Sequence, residues 1–134
     1  MTAIIPTLVA PYAAVLGILG AMLTINVILN RVRTKVDEGA GGDPRLAQAI
    51  RAHGNFAEQA PLGLIVIAFA ESLGSRTWVV HLLGAVLVAG RLASAYGLSR
   101  TLAQSPGRQF GASVNALVLI AASLAILLAL YGVK

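Results

Sequence analysis

Two long uncharged runs constrain this chain more than any other feature of its sequence. Residues 2–30 and residues 110–133 contain no Asp, Glu, Lys or Arg. About 20 apolar residues in a helix cross the roughly 30 Å hydrocarbon core of a bilayer, and both runs exceed that length. Mean hydropathy is +0.83 and charged residues make up only 11% of the chain, against about 25% in soluble domains. The sequence therefore predicts an integral membrane protein.

Charged and glycine-rich interruptions divide the chain into four predicted helices, at about residues 4–35, 44–73, 77–99 and 107–133. Asp43 before Pro44, and Ser105 before Pro106, have the form of an N-cap followed by proline at the first helical position. We predict a single all-α domain over residues 1–134. Its expected architecture is a transmembrane four-helix bundle with the left-handed packing that is common in membranes.

Several chemistries are disfavoured by composition. Cysteine is absent, which removes disulfides, thiolate metal ligands and a cysteine nucleophile. Two histidines, His53 and His81, are too few and too far apart for a metal site, so we expect no metal. The net charge is +5, and the basic residues flank apolar segments. This placement fits binding to anionic lipid headgroups better than binding to nucleic acid.

The distribution of basic residues predicts the orientation in the membrane. Eight of the ten Lys and Arg lie nearer the first and third loops, and only Arg76 and Lys134 lie towards the other side. By the positive-inside rule those two loops face the cytoplasm and both termini face away.

A polar cluster interrupts the second predicted helix. At about 100° per residue, Arg51, Asn55 and Glu58 lie at roughly 0°, 40° and −20°, on one narrow face. Ionised groups in a membrane segment turn towards a bundle interior or a wet cavity, and by default they indicate a functional site. Arg91 in the third helix reaches a similar depth to Glu58, so we predict a buried Glu58–Arg91 ion pair. A purely structural ion-pair network between subunits is the alternative interpretation.

The ends of the helices at the two basic loops should bring further arginines to this cluster. Guanidinium groups pair with carboxylates, an amide bonds a peptide group, and Glu58 can receive an ammonium. This combination suits a small anionic peptide-like ligand such as glutathione, although composition does not select it over other anions. The arginines in this layer are Arg31, Arg33, Arg51, Arg91, Arg100 and Arg108.

The motifs Arg51-Ala-His-Gly-Asn55-Phe-Ala-Glu58-Gln-Ala-Pro61 and Gly90-Arg91-Leu-Ala-Ser-Ala-Tyr-Gly97 resemble those of the MAPEG family, the membrane-associated proteins in eicosanoid and glutathione metabolism. The chain is most similar to short bacterial members, and the resemblance covers essentially its whole length. It implies a homotrimer in a bacterial inner membrane, with glutathione as cosubstrate bound between subunits near the cytosolic face.

The resemblance also implies roles for individual residues. The glutathione contacts would be Arg33, Arg51, Asn55, Glu58 and Arg100. Arg31 and Arg108 would be catalytic, stabilising the glutathione thiolate for attack on a small hydrophobic substrate. Depending on the alignment, Arg33 could take the place of Arg31, and Arg100 is a second candidate beside Arg108.

The sequence departs from the family pattern at three positions. Arg91, Ser94, Ala95 and Leu98 share one predicted face of the third helix, and Tyr96 points elsewhere. Ser94 and Leu98 stand where several members have tyrosine on this helix, and Gln59 replaces a tyrosine of some members. Binding is therefore better supported than catalysis, and three functions stay open. They are a glutathione transferase or peroxidase, a non-catalytic lipid- or glutathione-binding scaffold, and a small proton-coupled multidrug transporter. Transport is disfavoured because neighbouring arginines should keep Glu58 ionised.

Overall fold

The computed structural model describes residues 5–103 and 106–132, and these residues form four α-helices in sequence order. They are α1 (Ala10–Thr34), α2 (Pro44–Ser72), α3 (Thr77–Arg100) and α4 (Pro106–Leu130). The predicted all-α four-helix architecture is confirmed. The loop between α1 and α2 and the loop between α3 and α4 lie at one end of the bundle, which we call the basic end.

Helices α2 and α3 form the centre of the bundle, since α2 packs against all three other helices and α3 does the same. The main apolar core joins all four helices through residues such as Leu16, Ile67, Leu87 and Val118. A smaller cluster nearer the basic end joins Leu23, Ala52, Ala95 and Leu98.

The contact between α3 and α4 depends on a glycine. A Cβ atom added at Gly111 would collide with the Ser94 side chain and the Gly90 carbonyl. Small residues let membrane helices approach closely and bring their backbones within reach of neighbouring side chains. Gly111 therefore sets the spacing of the two helices and leaves its own carbonyl open to α3.

The start of α1 differs from the predicted position, because residues 5–9 are not helical. Pro11 lies in the first turn, where its missing N–H interrupts no hydrogen bond. Val9, the N-cap, has no capping side chain of its own. Instead the Glu71 carboxylate, at the end of α2, accepts the N–H groups of Leu8 at 2.7 Å and Val9 at 2.9 Å. The structure thus fixes the first turn of α1 through a distant glutamate.

Other predicted boundaries agree closely with the observed ones. Asp43 caps α2 as predicted, and its carboxylate accepts the Leu46 N–H at 2.8 Å. Helix α4 begins at Pro106, while the predicted cap Ser105 lies outside the described residues. The predicted end of α4 at residue 133 also lies outside them, and the described part of the helix ends at Leu130.

Within the described residues, α1, α3 and α4 are each long and apolar enough to span a membrane. Helix α2 has a comparable length but is not among them, because it carries the polar cluster. Many large apolar side chains on the outside of the bundle are exposed, including Ile18, Met22, Phe69 and Leu117. Such a surface is expected of a protein embedded in lipid.

Candidate functional site

Arg51 and Glu58 line a depression of about 490 Å³ at the basic end. Both side chains are exposed, and neither has a hydrogen bond or ion pair among the described residues. The wall opposite α2 is formed by Gly39 and Ala40 of the first loop and by Leu102 of the third. We call this the Arg51–Glu58 depression. It presents one unpaired cation and one unpaired anion about two turns apart on the same helix.

Arg31 organises the loop that borders this depression. Its Nη1 donates to the carbonyls of Val36, Asp37 and Gly39, at 3.0, 2.8 and 3.3 Å. The carbonyls that follow a helix C-terminus need donors, and a basic side chain in the last turn supplies them. The predicted catalytic residue Arg31 thus holds one wall of the depression.

The third loop has a similar arrangement. Arg108 Nη1 donates to the carbonyl of Leu102 at 3.5 Å, and Leu102 lines the depression. Arg100 lies nearby, with its guanidinium 5.1 Å from the centre of the Tyr96 ring. Its backbone carbonyl accepts the Gln48 side chain at 3.3 Å. Neither Arg100 nor Arg108 lines the depression within the described part of the chain.

Arg33, a predicted glutathione contact, is already ion-paired in the protomer. Its Nη2 donates to the Asp43 carboxylate at 2.7 Å and to the Asn30 side chain at 3.1 Å. The hydrogen bond from Arg33, with a further one from the Leu46 N–H, lowers the pKa of Asp43 below its ordinary value of 3.8. This pair ties the end of α1 to the start of α2.

The predicted Glu58–Arg91 ion pair is not formed in the protomer, and this prediction was wrong for the described chain. Arg91 is only 1% exposed. It donates from Nη1 to the Asn55 side-chain oxygen at 3.3 Å and from Nη2 to the Gly111 carbonyl. Glu58 lies one turn further along α2 and about 60° around the helix from Asn55, so it faces the depression instead. Neutral dipoles, rather than a carboxylate, accept the hydrogen bonds that Nη1 and Nη2 of the buried guanidinium donate.

The three-residue face predicted on α2 therefore divides between two environments. Arg51 and Glu58 face the depression, whereas Asn55 is turned towards Arg91. Three buried polar atoms near this junction have no partner among the described residues: Arg91 Nε, Asn115 Oδ1 and Gln59 Oε1. Asn115, 5% exposed on α4, is the single amide in the uncharged run 110–133. An isolated amide in an apolar run indicates a buried polar group, but it does not identify the residue that lies next to it.

The buried face of α3 matches the sequence prediction. Arg91, Ser94 and Leu98 are buried, while Tyr96 is 65% exposed. Within the described residues, no tyrosine hydroxyl or other α3 side chain lines the Arg51–Glu58 depression. The described residues hold no group of three or more acidic, histidine or cysteine side chains that could bind a metal ion. Binding of an ion-paired organic ligand is the chemistry that this depression supports.

Comparison with known proteins agrees with the sequence resemblance. The sequence model of the MAPEG family matches residues 9–128. The inner membrane protein YecN of Escherichia coli strain K12 is 39% identical over 93 residues, which cover 69% of this chain and 71% of the relative. The protein of the same name from Escherichia coli O6:H1, strain CFT073, gives the same values.

Proposed function

Because this chain belongs to the MAPEG family, we propose that it binds glutathione in the Arg51–Glu58 depression and presents the thiolate to lipophilic electrophiles in the bilayer. It would then act as a glutathione-dependent transferase or peroxidase. The observation that carries the proposal is the unpaired state of Arg51 and Glu58 on one concave surface. Both side chains are exposed and neither is engaged within the described protomer, so both charges are available to a ligand.

The two side chains complement opposite ends of glutathione. Arg51 offers the planar donor fork that pairs with a carboxylate, and Glu58 can accept the ammonium of the γ-glutamyl residue. The volume of about 490 Å³ falls within the range of small-molecule sites. Asn55 lies between these residues in sequence and, by forming a hydrogen bond with Arg91, fixes the turn of α2 that carries them.

The reaction needs a thiolate, and nearby guanidinium charge lowers a thiol pKa. The thiol first loses its proton to water. In a transferase the sulfur then bonds to an electrophilic carbon, and the leaving group departs from that carbon with the bonding electron pair. In a peroxidase the sulfur attacks one peroxide oxygen, the O–O bond breaks to give a sulfenic acid and an alkoxide that takes a proton from water, and a second glutathione thiol converts the sulfenic acid to glutathione disulfide and water. Arg31 and Arg108 each hold a loop at the rim of the depression. We assign thiolate stabilisation to these two arginines and keep Arg33 and Arg100 as further glutathione contacts.

Assembly and orientation complete the proposal. We propose a homotrimer whose neighbouring subunits close the open side of each depression, consistent with the exposed apolar surface of the single chain. The name of the Escherichia coli relative supports a bacterial inner membrane. The basic end would face the cytoplasm, where glutathione is present, and the termini would lie on the other side.

Calorimetric titration of the detergent-solubilised protein with glutathione tests the site by measuring affinity, and thiolate absorbance recorded alongside reports whether the thiol is ionised. Arg51→Gln removes one charge-assisted bond of about 1.5–3 kcal/mol, so affinity should fall by about 10- to 150-fold. Lys35→Gln is the matched control, because Lys35 is exposed at the same end and does not line the depression. Equal affinities for Arg51→Gln and the wild-type protein would reject the site.

A non-catalytic glutathione- or lipid-binding scaffold is the second candidate. It is favoured by the burial of Ser94 and Leu98, which leaves α3 without a hydroxyl at the depression. Turnover of a chromogenic electrophile separates the two functions, since a scaffold would bind glutathione without an absorbance change or product. Uptake of a cationic dye into proteoliposomes tests the multidrug transporter, the least favoured of the three.

A further inference from the structure

A second concave region lies between α1, α2 and α3, away from the Arg51–Glu58 depression. Its polar part, of about 370 Å³, is lined by Asn26, Asn30, Arg45, Gln48, Ala49 and Ser99. An adjoining apolar groove of about 350 Å³ lies between α1 and α3, and the two parts share Asn26 and Ser99. We call the two together the α1–α3 groove.

The described residues that line the polar part include donors and no acid. Arg45, Asn26 Nδ2 and the Ser99 hydroxyl each lack a hydrogen-bond partner within residues 5–103 and 106–132. The Asn26 oxygen is already engaged, because it accepts the Asn30 side chain at 3.1 Å. The nearest carboxylate in sequence, Asp43, is neutralised by Arg33. Three free donors from three helices therefore converge on a region with a net positive charge.

The apolar part continues from these donors towards the middle of the bundle. Leu19, Met22 and Leu23 of α1 face Leu92 and Tyr96 of α3 across it. From Asn30 to Leu19 the groove follows α1 for about 16 Å, at 1.5 Å per residue. Its polar opening lies at the basic end and its apolar end lies deeper. A phosphate at the opening and an acyl chain along the groove would match this polarity.

We propose that the α1–α3 groove binds an acidic phospholipid from the leaflet at the basic end. The phosphate accepts hydrogen bonds from Arg45, Asn26 and Ser99, and one acyl chain lies between α1 and α3. Charge complementarity selects an anionic headgroup over a zwitterionic one. The continuous apolar groove selects a lipid over a free anion.

This site is separate from the proposed glutathione site. On α2, the residues that line the groove and those that line the Arg51–Glu58 depression lie on faces about 155° apart, at 100° per residue. The two regions share no lining residue. Lipid binding can therefore be tested independently of glutathione binding.

The test is lipid-dependent thermal stability of the delipidated protein in neutral detergent. Phosphatidylglycerol should raise Tm at lower mole fractions than phosphatidylcholine, and free glycerol 3-phosphate should have no effect. Arg45→Gln should shift the half-saturating fraction of phosphatidylglycerol upwards by about tenfold or more. Lys35→Gln makes the same charge change at the same end and should leave it unchanged.

A second variant tests the apolar part. Met22→Trp places a larger ring in the groove and should abolish the preference for phosphatidylglycerol. Ile28→Trp is its control, because Ile28 is also exposed on α1 but lies about 120° around the helix. Glutathione affinity should be unchanged in all four variants.

Three outcomes would overturn the proposal. Stabilisation by glycerol 3-phosphate alone would indicate a site for a free anion. An equal upward shift of the half-saturating phosphatidylglycerol fraction in Arg45→Gln and Lys35→Gln would indicate that a diffuse surface potential, and not a defined site, attracts the lipid. A change of oligomeric state in Met22→Trp, without a change in lipid preference, would indicate that a second copy of the chain covers the groove.

Discussion

Glu71 should contribute more to stability than any other acidic side chain of this protein. It is 4% exposed, and its two carboxylate oxygens accept the N–H groups of Leu8 and Val9. These N–H groups belong to the N-terminal end of α1, which carries no side-chain cap of its own. A carboxylate at this position also interacts favourably with the helix dipole.

Replacing Glu71 with Gln tests this contribution with little change of shape. One oxygen can still accept a hydrogen bond, but the amide NH₂ then faces a second N–H group. One charge-assisted bond is lost, which is worth about 1.5–3 kcal/mol. We therefore expect the free energy of unfolding to fall by about this amount. Residues at the start of α1 should also exchange their amide hydrogens faster.

Glu58→Gln is the matched control, since it makes the same substitution on the same helix at an exposed, unbonded side chain. Its effect should lie within about 0.5 kcal/mol. Both variants can be compared by denaturation in mixed micelles of mild and denaturing detergent, followed by circular dichroism. Equal losses in the two variants, or unchanged exchange at Leu8 and Val9, would refute the capping role.

Two further predictions concern the packing and the basic end. Gly111→Ala should lower the free energy of unfolding by about 1–3 kcal/mol, because the new methyl group collides with Ser94. Gly17→Ala is the control: its methyl group meets no atom within 4 Å, so it should be neutral or stabilising in the same denaturation assay. The pKa of Asp43 is lowered in the folded state by Arg33, so the stabilisation from this carboxylate is present above pH 3.8 and is lost as pH falls through the lower folded value. Asp43→Asn keeps a capping side chain and should remove this part of the pH dependence of Tm. An unchanged fall of Tm at acidic pH in this variant would contradict the assignment.

Much of the fold follows from local sequence signals. The uncharged runs, the cap at Asp43 and the helical spacing of Arg91, Ser94 and Leu98 gave the helices and the buried face of α3. These features depend on residues within one or two turns of each other. The sequence alone is therefore enough to predict these features, and the structure agrees with the prediction.

Features that depend on contacts between helices were harder to predict from the sequence. The sequence predicts that Glu58 and Arg91 lie at a similar height along the bundle. It does not show the direction in which the Glu58 side chain points around the axis of α2. About 60° separates Glu58 from Asn55, and this rotation decides which of them meets Arg91. The second partner of Arg91 is the Gly111 carbonyl, a backbone group with no side-chain signature. The role of Glu71 was missed for a similar reason, since its partners lie more than 60 residues away.

The low hydropathy of α2 has a physical explanation in this arrangement. One of its faces carries the unpaired Arg51 and Glu58, and the nearly opposite face carries the free donor Arg45. A helix with polar groups on both sides cannot face lipid along its length. The three apolar helices α1, α3 and α4 accordingly pack around it. The helix least suited to lipid is thus the one that brings charged side chains to both proposed binding regions, and its packing against all three neighbours limits the part of α2 that can meet lipid.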